Sequence, residues 1–363
     1  MSGSAPDAYV RDPLAGKLPV TLVTGFLGSG KTTLIGRLLR HPGMRRAAVI
    51  INEVGEIGID HDLVAMSSEN VSLLANGCIC CVVRTDLQDT LRQLFGQRRA
   101  GQVADFDRVI IETSGLADPA PAVQTLTSDT MLGAHYRLDG VVTLVDALNG
   151  ARQLCSSPEC EKQIALADLI VLTKEDLAEP QSATSLRDAI RGINASAPLR
   201  HSRMGDLDPS ELTGLGLHSA RVGDRTGRFL GRWLDDDSSV GEGAAGEGGE
   251  PGYLADRLPG VRHDRSVRTC ALTFEQPFDW DSFGAAMDML MKLRGPDLLR
   301  VKGIVNVAGA PVVVQAVQHV MHPPVTLDRW PSEDRRSRLV FIARNLPAGR
   351  IRGVFEAVVG VRG

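Results

Sequence analysis

The eight residues Gly25-Phe26-Leu27-Gly28-Ser29-Gly30-Lys31-Thr32 satisfy the pattern G-x-x-x-x-G-K-[ST]. Glycines at these positions let backbone N–H groups close around phosphate oxygens. A helix N-terminus behind them, at Thr32 and Thr33, adds a favourable dipole. In that arrangement Lys31 reaches the β- and γ-phosphates of a nucleotide and the Thr32 hydroxyl ligates Mg²⁺. A Gly-rich turn with a chance lysine is the alternative. The context speaks against it, because the β-prone run Pro19–Val23 precedes the loop and a helical pattern follows it.

Two further segments fit the same chemistry. Asp107-Arg108-Val109-Ile110-Ile111-Glu112 is an apolar run that ends in a carboxylate, and Thr113-Ser114-Gly115 follows. Beside a phosphate loop, Glu112 would hold Mg²⁺ through a water or position an attacking water, and Gly115 would offer its N–H to the γ-phosphate. A strand that merely ends in a charge is the competing reading. Leu169–Asp176 is an apolar run closed by T-K-x-D. The guanine-reading element of GTPases is usually N-K-x-D, whose Asp accepts from the base and whose Lys lies over it. Lys174 and Asp176 are present, and Thr173 stands where Asn is usual. That Asn mostly braces neighbouring loops, so GTP is expected over ATP. No residue marks itself as a water-positioning glutamine or arginine finger, so intrinsic hydrolysis is expected to be slow.

Asn76-Gly77-Cys78-Ile79-Cys80-Cys81 places three of the six cysteines within four positions. The spacing is too tight for a zinc ribbon. Three thiols converge here only if the backbone folds around an ion, and Asn-Gly supplies a turn. Thiolates select Zn²⁺, Cu(I) or similarly thiophilic ions. The alternatives are a redox dithiol and buried cysteines acting as small apolar residues. Cys155 and Cys160 are expected in a loop or helix end, and Cys270 in a strand core. His319 and His322 are expected to be exposed, although their spacing would suit metal on a helix.

These residues need a scaffold. Apolar runs at Pro19–Val23, Ala47–Ile51, Val71–Leu74, Arg108–Ile111, Gly140–Val145 and Leu169–Thr173 read as strands of a parallel sheet covered on both faces. Helical patterns at about Lys31–Arg40, Thr85–Phe95, Pro121–Thr127 and Ser182–Gly192 alternate with them. The result is a doubly wound α/β domain with ligands at the carboxyl ends of its strands. In that order the cysteine loop falls on the nucleotide side of the sheet.

The alternation stops near Trp233. Asp235–Glu250 carries six acidic residues and five glycines and cannot bury enough surface to fold. Val267–Phe274, Leu299–Val307, Val312–Val317 and Leu339–Ala343 then read as strands, Trp280–Leu293 as a helix and Ile351–Val358 as a short helix. The expected division is a flexible tail over 1–18, a P-loop domain over 19–234, an acidic linker over 235–262 and a small α+β domain over 263–363. Hydrophobic content of 43% and charged content of 23% are ordinary for a globular chain. The net charge of −4 gives no electrostatic case for nucleic acid or anionic membrane. Residues 1–18 lack the apolar core of a signal peptide, and no run approaches about 18 apolar residues. The expected compartment is therefore the cytoplasm, where cysteines stay reduced.

Four segments together resemble one family. Asn52-Glu53-Val54-Gly55-Glu56-Ile57-Gly58-Ile59-Asp60, Asn76–Cys81, Glu112-Thr113-Ser114-Gly115-Leu116-Ala117-Asp118-Pro119 and Leu299-Arg300-Val301-Lys302-Gly303 are similar, in that order, to the motifs of the CobW-like metallochaperone GTPases. The resemblance runs from about Pro19 to the end of the chain. It implies a G domain of the class shared with nickel-insertion GTPases, a small C-terminal domain, and metal binding at Cys78, Cys80 and Cys81 coupled to GTP. It implies a switch role for Asn52–Asp60, in which Glu53 or Glu56 adds an oxygen ligand to the metal or to Mg²⁺. Solvated carboxylates in a loop are the competing reading of those two. The chain departs from the family at Val54, where Phe is usual, and in its linker, which has no histidine where many members carry a histidine-rich tract.

The implied activity is GTP hydrolysis driving transfer of a thiophilic ion to a client metalloprotein. Zn²⁺ suits the thiolates best, and Co²⁺ remains open. Alternatives are a GTP-gated scaffold with a structural metal, an activator of a cobalt or iron enzyme such as a nitrile hydratase or a cobalamin-pathway complex, and a cysteine redox sensor.

Overall fold

The computed structural model describes residues 16–52, 64–68, 71–74, 79–82, 86–216 and 267–362. The Glu53–Asp60 part of the expected switch, Asn76–Cys78 and the acidic linker lie outside the described residues.

The first domain contains β1 (Leu18–Gly25), α1 (Lys31–Leu39), β2 (Ala47–Asn52), β3 (Val64–Ser68), β4 (Val71–Leu74), β5 (Ile79–Val82) and α2 (Leu87–Arg99). It continues through β6 (Arg108–Thr113), α3 (Ala120–Ser128), α4 (Thr130–His135), β7 (Tyr136–Asp146), α5 (Gly150–Ser156), α6 (Pro158–Leu166), β8 (Leu169–Thr173), α7 (Pro180–Ile193) and β9 (Leu199–Ser202). Among the described residues the strands form one nine-stranded sheet, ordered β3-β4-β5-β2-β6-β1-β7-β8-β9. The strands from β5 to β9 in that order pair parallel, and β3 and β4 are antiparallel at the edge. The edge pairing is possible because β3 and β4 are too close in sequence for the crossover a parallel pair requires.

Alternate residues of the central strands feed two cores. Val20, Leu22, Ile50, Val109 and Ile111 pack on one face, and Val23, Val49, Ile51 and Ile110 on the other. Period-two side chains on a sheet covered on both sides produce the continuous apolar runs seen in the sequence. The chain crosses from β1 to β2 and the β3 edge on one side, returns through β6 beside β1, and then runs outward through β7, β8 and β9 on the other, so the crevice at this reversal opens beyond Gly25.

The described residues of the second domain comprise β10 (Val267–Phe274), α8 (Trp280–Arg294), β11 (Leu298–Val307), β12 (Ala310–Val317), β13 (Val320–Met321), β14 (Val325–Thr326), β15 (Ser337–Arg344) and α9 (Ala348–Arg362). Its antiparallel sheet runs β10-β15-β11-β12-β13, with β14 on β12. Phe283, Met287 and Leu290 of α8 and Ile351 and Phe355 of α9 cover one face, against Val301, Val305 and Phe341. The other face packs on the first domain, where Val267, Leu299 and Ile342 meet Ile164, Ala165, Leu186 and Ile190. The β11–β15 register shifts between Leu298 and Arg300. Leu299 and Arg300 thereby both turn toward the first domain while Leu298 and Val301 stay in the helix-covered core. Gly303 follows because a Cβ there would lie 2.2 Å from the Arg338 carbonyl.

Two local expectations differ. Ile79–Val82 is a strand, paired in parallel with β2 from Ala48↔Ile79 to Ile51↔Val82, where a loop was expected. The run Ile-Cys-Cys-Val carries no residue that breaks a strand, so the backbone pairs. Cys155 and Cys160 lie at helix ends as expected, in the last turn of α5 and the first turn of α6, although the sequence pattern does not announce either helix. His322 is buried at 6% exposure where an exposed residue was expected, and a turn at Gln318 (φ 52°) followed by β13 stands in place of a helix there.

Candidate functional site

The phosphate loop joins β1 to α1. Gly25 (φ 141°) cannot be replaced without collision, since a Cβ would sit 2.4 Å from the Leu144 carbonyl. Gly30 (φ 92°) caps α1 in a left-handed conformation that side chains resist, and it turns the first helical N–H groups toward the crevice. Phe26, Leu27 and Gly28 form the arch, where the Ser29 N–H donates to Phe26 O at 3.1 Å. Ser29 Oγ is buried with no partner among the described residues, a donor left over inside the loop.

Lys31 is buried. Its Nζ donates to Gly25 O at 2.9 Å and to Phe26 O at 3.3 Å, so the ammonium is folded across the arch. The Thr32 hydroxyl donates to Glu112 Oε1 at 2.9 Å, and Thr33 is exposed beside it. Glu112 stands next to Val23 in the parallel register, at 1% exposure, which brings the strand-end carboxylate to the foot of the loop. Thr113 Oγ1 donates to Thr24 Oγ1 at 2.8 Å and ties the two strand ends. The groups that meet here are hard oxygens, a donor set that suits Mg²⁺. Thr32 and Glu112 are the residues that would hold it.

Gly115 approaches the loop from the other side. A Cβ there would lie 2.7 Å from Leu27 N, so only glycine permits this contact. The turn is held by Gln163, whose Nε2 donates to Gly115 O and Ala117 O, each at 3.1 Å.

At the T-K-x-D turn, Thr173 Oγ1 donates to Ser29 O at 2.8 Å and so braces the phosphate loop. Lys174 adopts φ 57°, an uncommon conformation for a long side chain. It places Nζ 2.7 Å from Gly28 O and 2.9 Å from Asp146 Oδ2. Burial pushes the Asp146 carboxyl up, but bonds from Asn149 and Lys174 and the N–H groups of Leu148 and Asn149 outweigh it and hold it below the usual range. Asp176 is exposed and pairs with Arg203 Nε at 3.2 Å. Such a surface pair is weak, about 0–1 kcal/mol, so a base would displace it at small cost.

The structure therefore brings Lys31, Thr32, Glu112, Gly115, Thr173 and Lys174 to one crevice, with Asp176 at its rim. Of the cysteine cluster, Cys80 and Cys81 lie in β5 and Cys78 lies outside the described residues, as do Glu53 and Glu56. The sequence reading did not single out three participants. Asp146 ends an apolar strand as Glu112 does, so its signal was present. Gln163 and Arg203 carry none, since their partners are distant in sequence.

Comparison with known proteins agrees with this geometry. Residues 19–200 match the CobW/HypB/UreG nucleotide-binding domain, and residues 267–359 match the cobalamin synthesis protein cobW C-terminal domain. The chain is 33% identical over 344 residues to the zinc chaperone YjiA of Escherichia coli, spanning 94% of this chain and 98% of that protein. It is 35% identical over 201 residues to the zinc-regulated GTPase metalloprotein activator 1 of Schizosaccharomyces pombe, spanning 53% of this chain and 47% of that one. The crystal structure of zinc-bound YjiA GTPase from E. coli superposes with a TM-score of 0.70 at 30% identity, covering 94% of this chain and 99% of that one. The chain belongs to the CobW/HypB/UreG family, with a P-loop GTPase fold followed by the CobW C-terminal domain.

Proposed function

We propose that the protein is a GTP-hydrolysing metallochaperone that binds Zn²⁺ through Cys78, Cys80 and Cys81 and passes it to a client metalloprotein under GTP control. The observation that carries the coupling is one of register. β2 lies between the cysteine strand and the Glu112 strand. Ile50 pairs with Cys81 on one side and Ile111 on the other, and Ile51 pairs with Val82 and with Glu112. The two chemistries are thus one strand apart, and β2 runs on into the Asn52–Asp60 segment. The names of the relatives, a zinc chaperone and a zinc-regulated GTPase, support the cargo and the nucleotide.

In this reading the Lys31 ammonium leaves Gly25 O and Phe26 O for phosphate oxygens, a stronger charge-assisted contact. Mg²⁺, when bound, neutralises charge developing between the β- and γ-phosphates. Thr32 would hold it directly, and Glu112 would hold it through a water or position the water for in-line attack. The Gly115 N–H reports the γ-phosphate, and Asp176 and Lys174 read guanine. Loss of the γ-phosphate removes the Gly115 contact and releases the switch segment that carries Glu53 and Glu56, which lowers metal affinity. Linkage requires the converse, so metal tightens GTP binding by the same factor.

The test is an anaerobic titration of the apo-protein with Zn²⁺ and with Co²⁺ against a competing chelator. It is run with a non-hydrolysable GTP analogue, with GDP and without nucleotide. Tighter metal binding with the analogue, with a thiolate–cobalt charge-transfer band lost in Cys80→Ser, is the expected result. Equal affinity in all three states would exclude gated delivery and leave a GTPase with a structural metal.

A further inference from the structure

The helix α6 touches the Gly115 turn with its middle and the second domain with its end. Gln163 Nε2 bonds both Gly115 O and Ala117 O, and the Gln163 carbonyl accepts from Thr143 Oγ1 of β7 at 2.7 Å. One residue earlier, Lys162 Nζ donates to Asp118 Oδ2 at 2.9 Å, and Asp118 Oδ1 accepts the Ala120 N–H that starts α3. The turn is thereby fastened to α6 at three points. On its far side it abuts the Leu27 backbone, so it has no room to move toward the phosphate loop.

The carboxyl end of α6 is fastened to the other domain. Arg300 of β11, at 1% exposure, donates to the Leu166 carbonyl and to Asp168 Oδ1, and Lys302 Nζ pairs with the same carboxylate oxygen. The other oxygen, Asp168 Oδ2, accepts the Val141 N–H at 2.9 Å. Asn194 Nδ2 donates to Ile164 O at 2.8 Å and Ala167 O at 3.0 Å, so the carbonyls at this end are satisfied and the helix end is fixed. From Gln163 to Leu166 is under one helical turn, about 4.5 Å along the axis. A segment that short transmits displacement without bending. A second link runs through α3, where Gln124 Nε2 donates to Gln318 Oε1 of the second domain at 2.7 Å.

We propose that α6 couples the γ-phosphate-facing turn to the C-terminal domain, with Gln163 as the positioning residue for Gly115 and Arg300 as its anchor across the domain boundary. The proposal rests on the reading of Gly115 as the γ-phosphate contact. It assigns the L-R-x-K-G strand a function beyond packing. Whatever docks on the second domain and shifts β11 changes the preference for GTP over GDP, and by linkage GTP changes the affinity for that partner by the same factor.

The test uses the full chain and measures dissociation constants for a non-hydrolysable GTP analogue and for GDP, with thermal melts to confirm folding. The variants are Gln163→Met, Arg300→Met, their combination, and Lys302→Met, which alters the cluster's charge but leaves both Arg300 bonds in place. Gln163→Met and Arg300→Met should each weaken the analogue about fivefold or more relative to GDP. The double variant should add little to the larger single effect, because both act on one element. Lys302→Met should leave the ratio unchanged. An Arg300→Met protein that keeps the parent ratio, or loses both nucleotides equally, overturns the coupling. If Arg300→Met does not fold, Arg300→Lys decides in the same way, since a lysine keeps the charge but cannot reach both partners. A parent protein that binds analogue and GDP with equal affinity, with Gln163→Met also without effect, would instead remove the reading of Gly115 on which the proposal rests.

Discussion

Replacing Lys302 with methionine should make the protein more stable at neutral pH. Lys302 is buried beside Arg300, with the Asp168 carboxylate as their shared counter-charge and His322 close by. Burial and the Arg300 charge pull the Lys302 ammonium down from 10.5 to about 8, although Asp168 opposes them. Burial and Arg300 also keep His322 neutral, at about 4, so it adds no charge at pH 7. At about 1.4 kcal/mol per tenfold change, the protonated Lys302 costs the folded state on the order of 3 kcal/mol. The sign follows from proton binding. Below pH about 8 both states hold the proton and the whole penalty is present. Between about 8 and 10.5 the unfolded chain keeps a proton that the folded protein has released, so stability rises with pH through that window.

Methionine has a similar unbranched shape and leaves Asp168 paired with Arg300. The lost Lys302–Asp168 bond offsets part of the relief, and the net gain should be about 1–3 kcal/mol. Urea unfolding of both proteins at neutral pH and near pH 10 measures it, with the midpoint rising and the slope unchanged. The gain should shrink as the pH approaches 10.5. A lower midpoint for Lys302→Met at neutral pH, or a gain that ignores pH, would refute the account of this cluster.

Three other perturbations follow from the crevice. Gly115→Ala forces a Cβ to within 2.7 Å of Leu27 N and should weaken GTP-analogue binding at least about tenfold in a fluorescence titration; unchanged affinity would show that the turn does not meet the phosphate loop. Asp146→Ala removes the buried partner of Lys174 and should cost about 1–3 kcal/mol along with guanine affinity. Because the Asp146 carboxyl is held below the usual range, its contribution is present at neutral pH and is lost as the pH falls below about 4, so acid should narrow the gap between parent and variant in denaturant melts. Burial pushes the Cys160 thiol up to about 12, so alkylation at neutral pH should label exposed Cys155 well before Cys160, read by peptide mass spectrometry; equal rates would refute the burial.

Much of the crevice is legible in the sequence because its chemistry is contiguous. Gly25–Thr32 must be a strand-to-helix loop, since glycines, lysine and hydroxyl serve one phosphate chain and sit on consecutive residues. The same holds for Glu112–Gly115 and for Thr173–Asp176, each fixed to the end of an apolar strand. Where one residue type served two physical roles, the reading was less secure. Cys80 and Cys81 read as part of a loop but pair within β5, because Ile-Cys-Cys-Val carries no residue that breaks a strand. His322 looked like a surface histidine and is buried beside the interdomain charges.

By itself the sequence determined the phosphate loop, the strand-end carboxylate, the T-K-x-D turn after an apolar strand and the two-domain division, because each rests on local spacing and on the period of apolar residues. Only the tertiary structure decided which distant groups meet. Gln163 reaches Gly115 across 48 residues, Lys174 reaches Asp146 across 28, and Arg300 reaches Leu166 across 134. Such pairs leave no periodic trace, since a buried hydrogen bond needs one donor and one acceptor brought together by packing, and packing is a property of the whole chain.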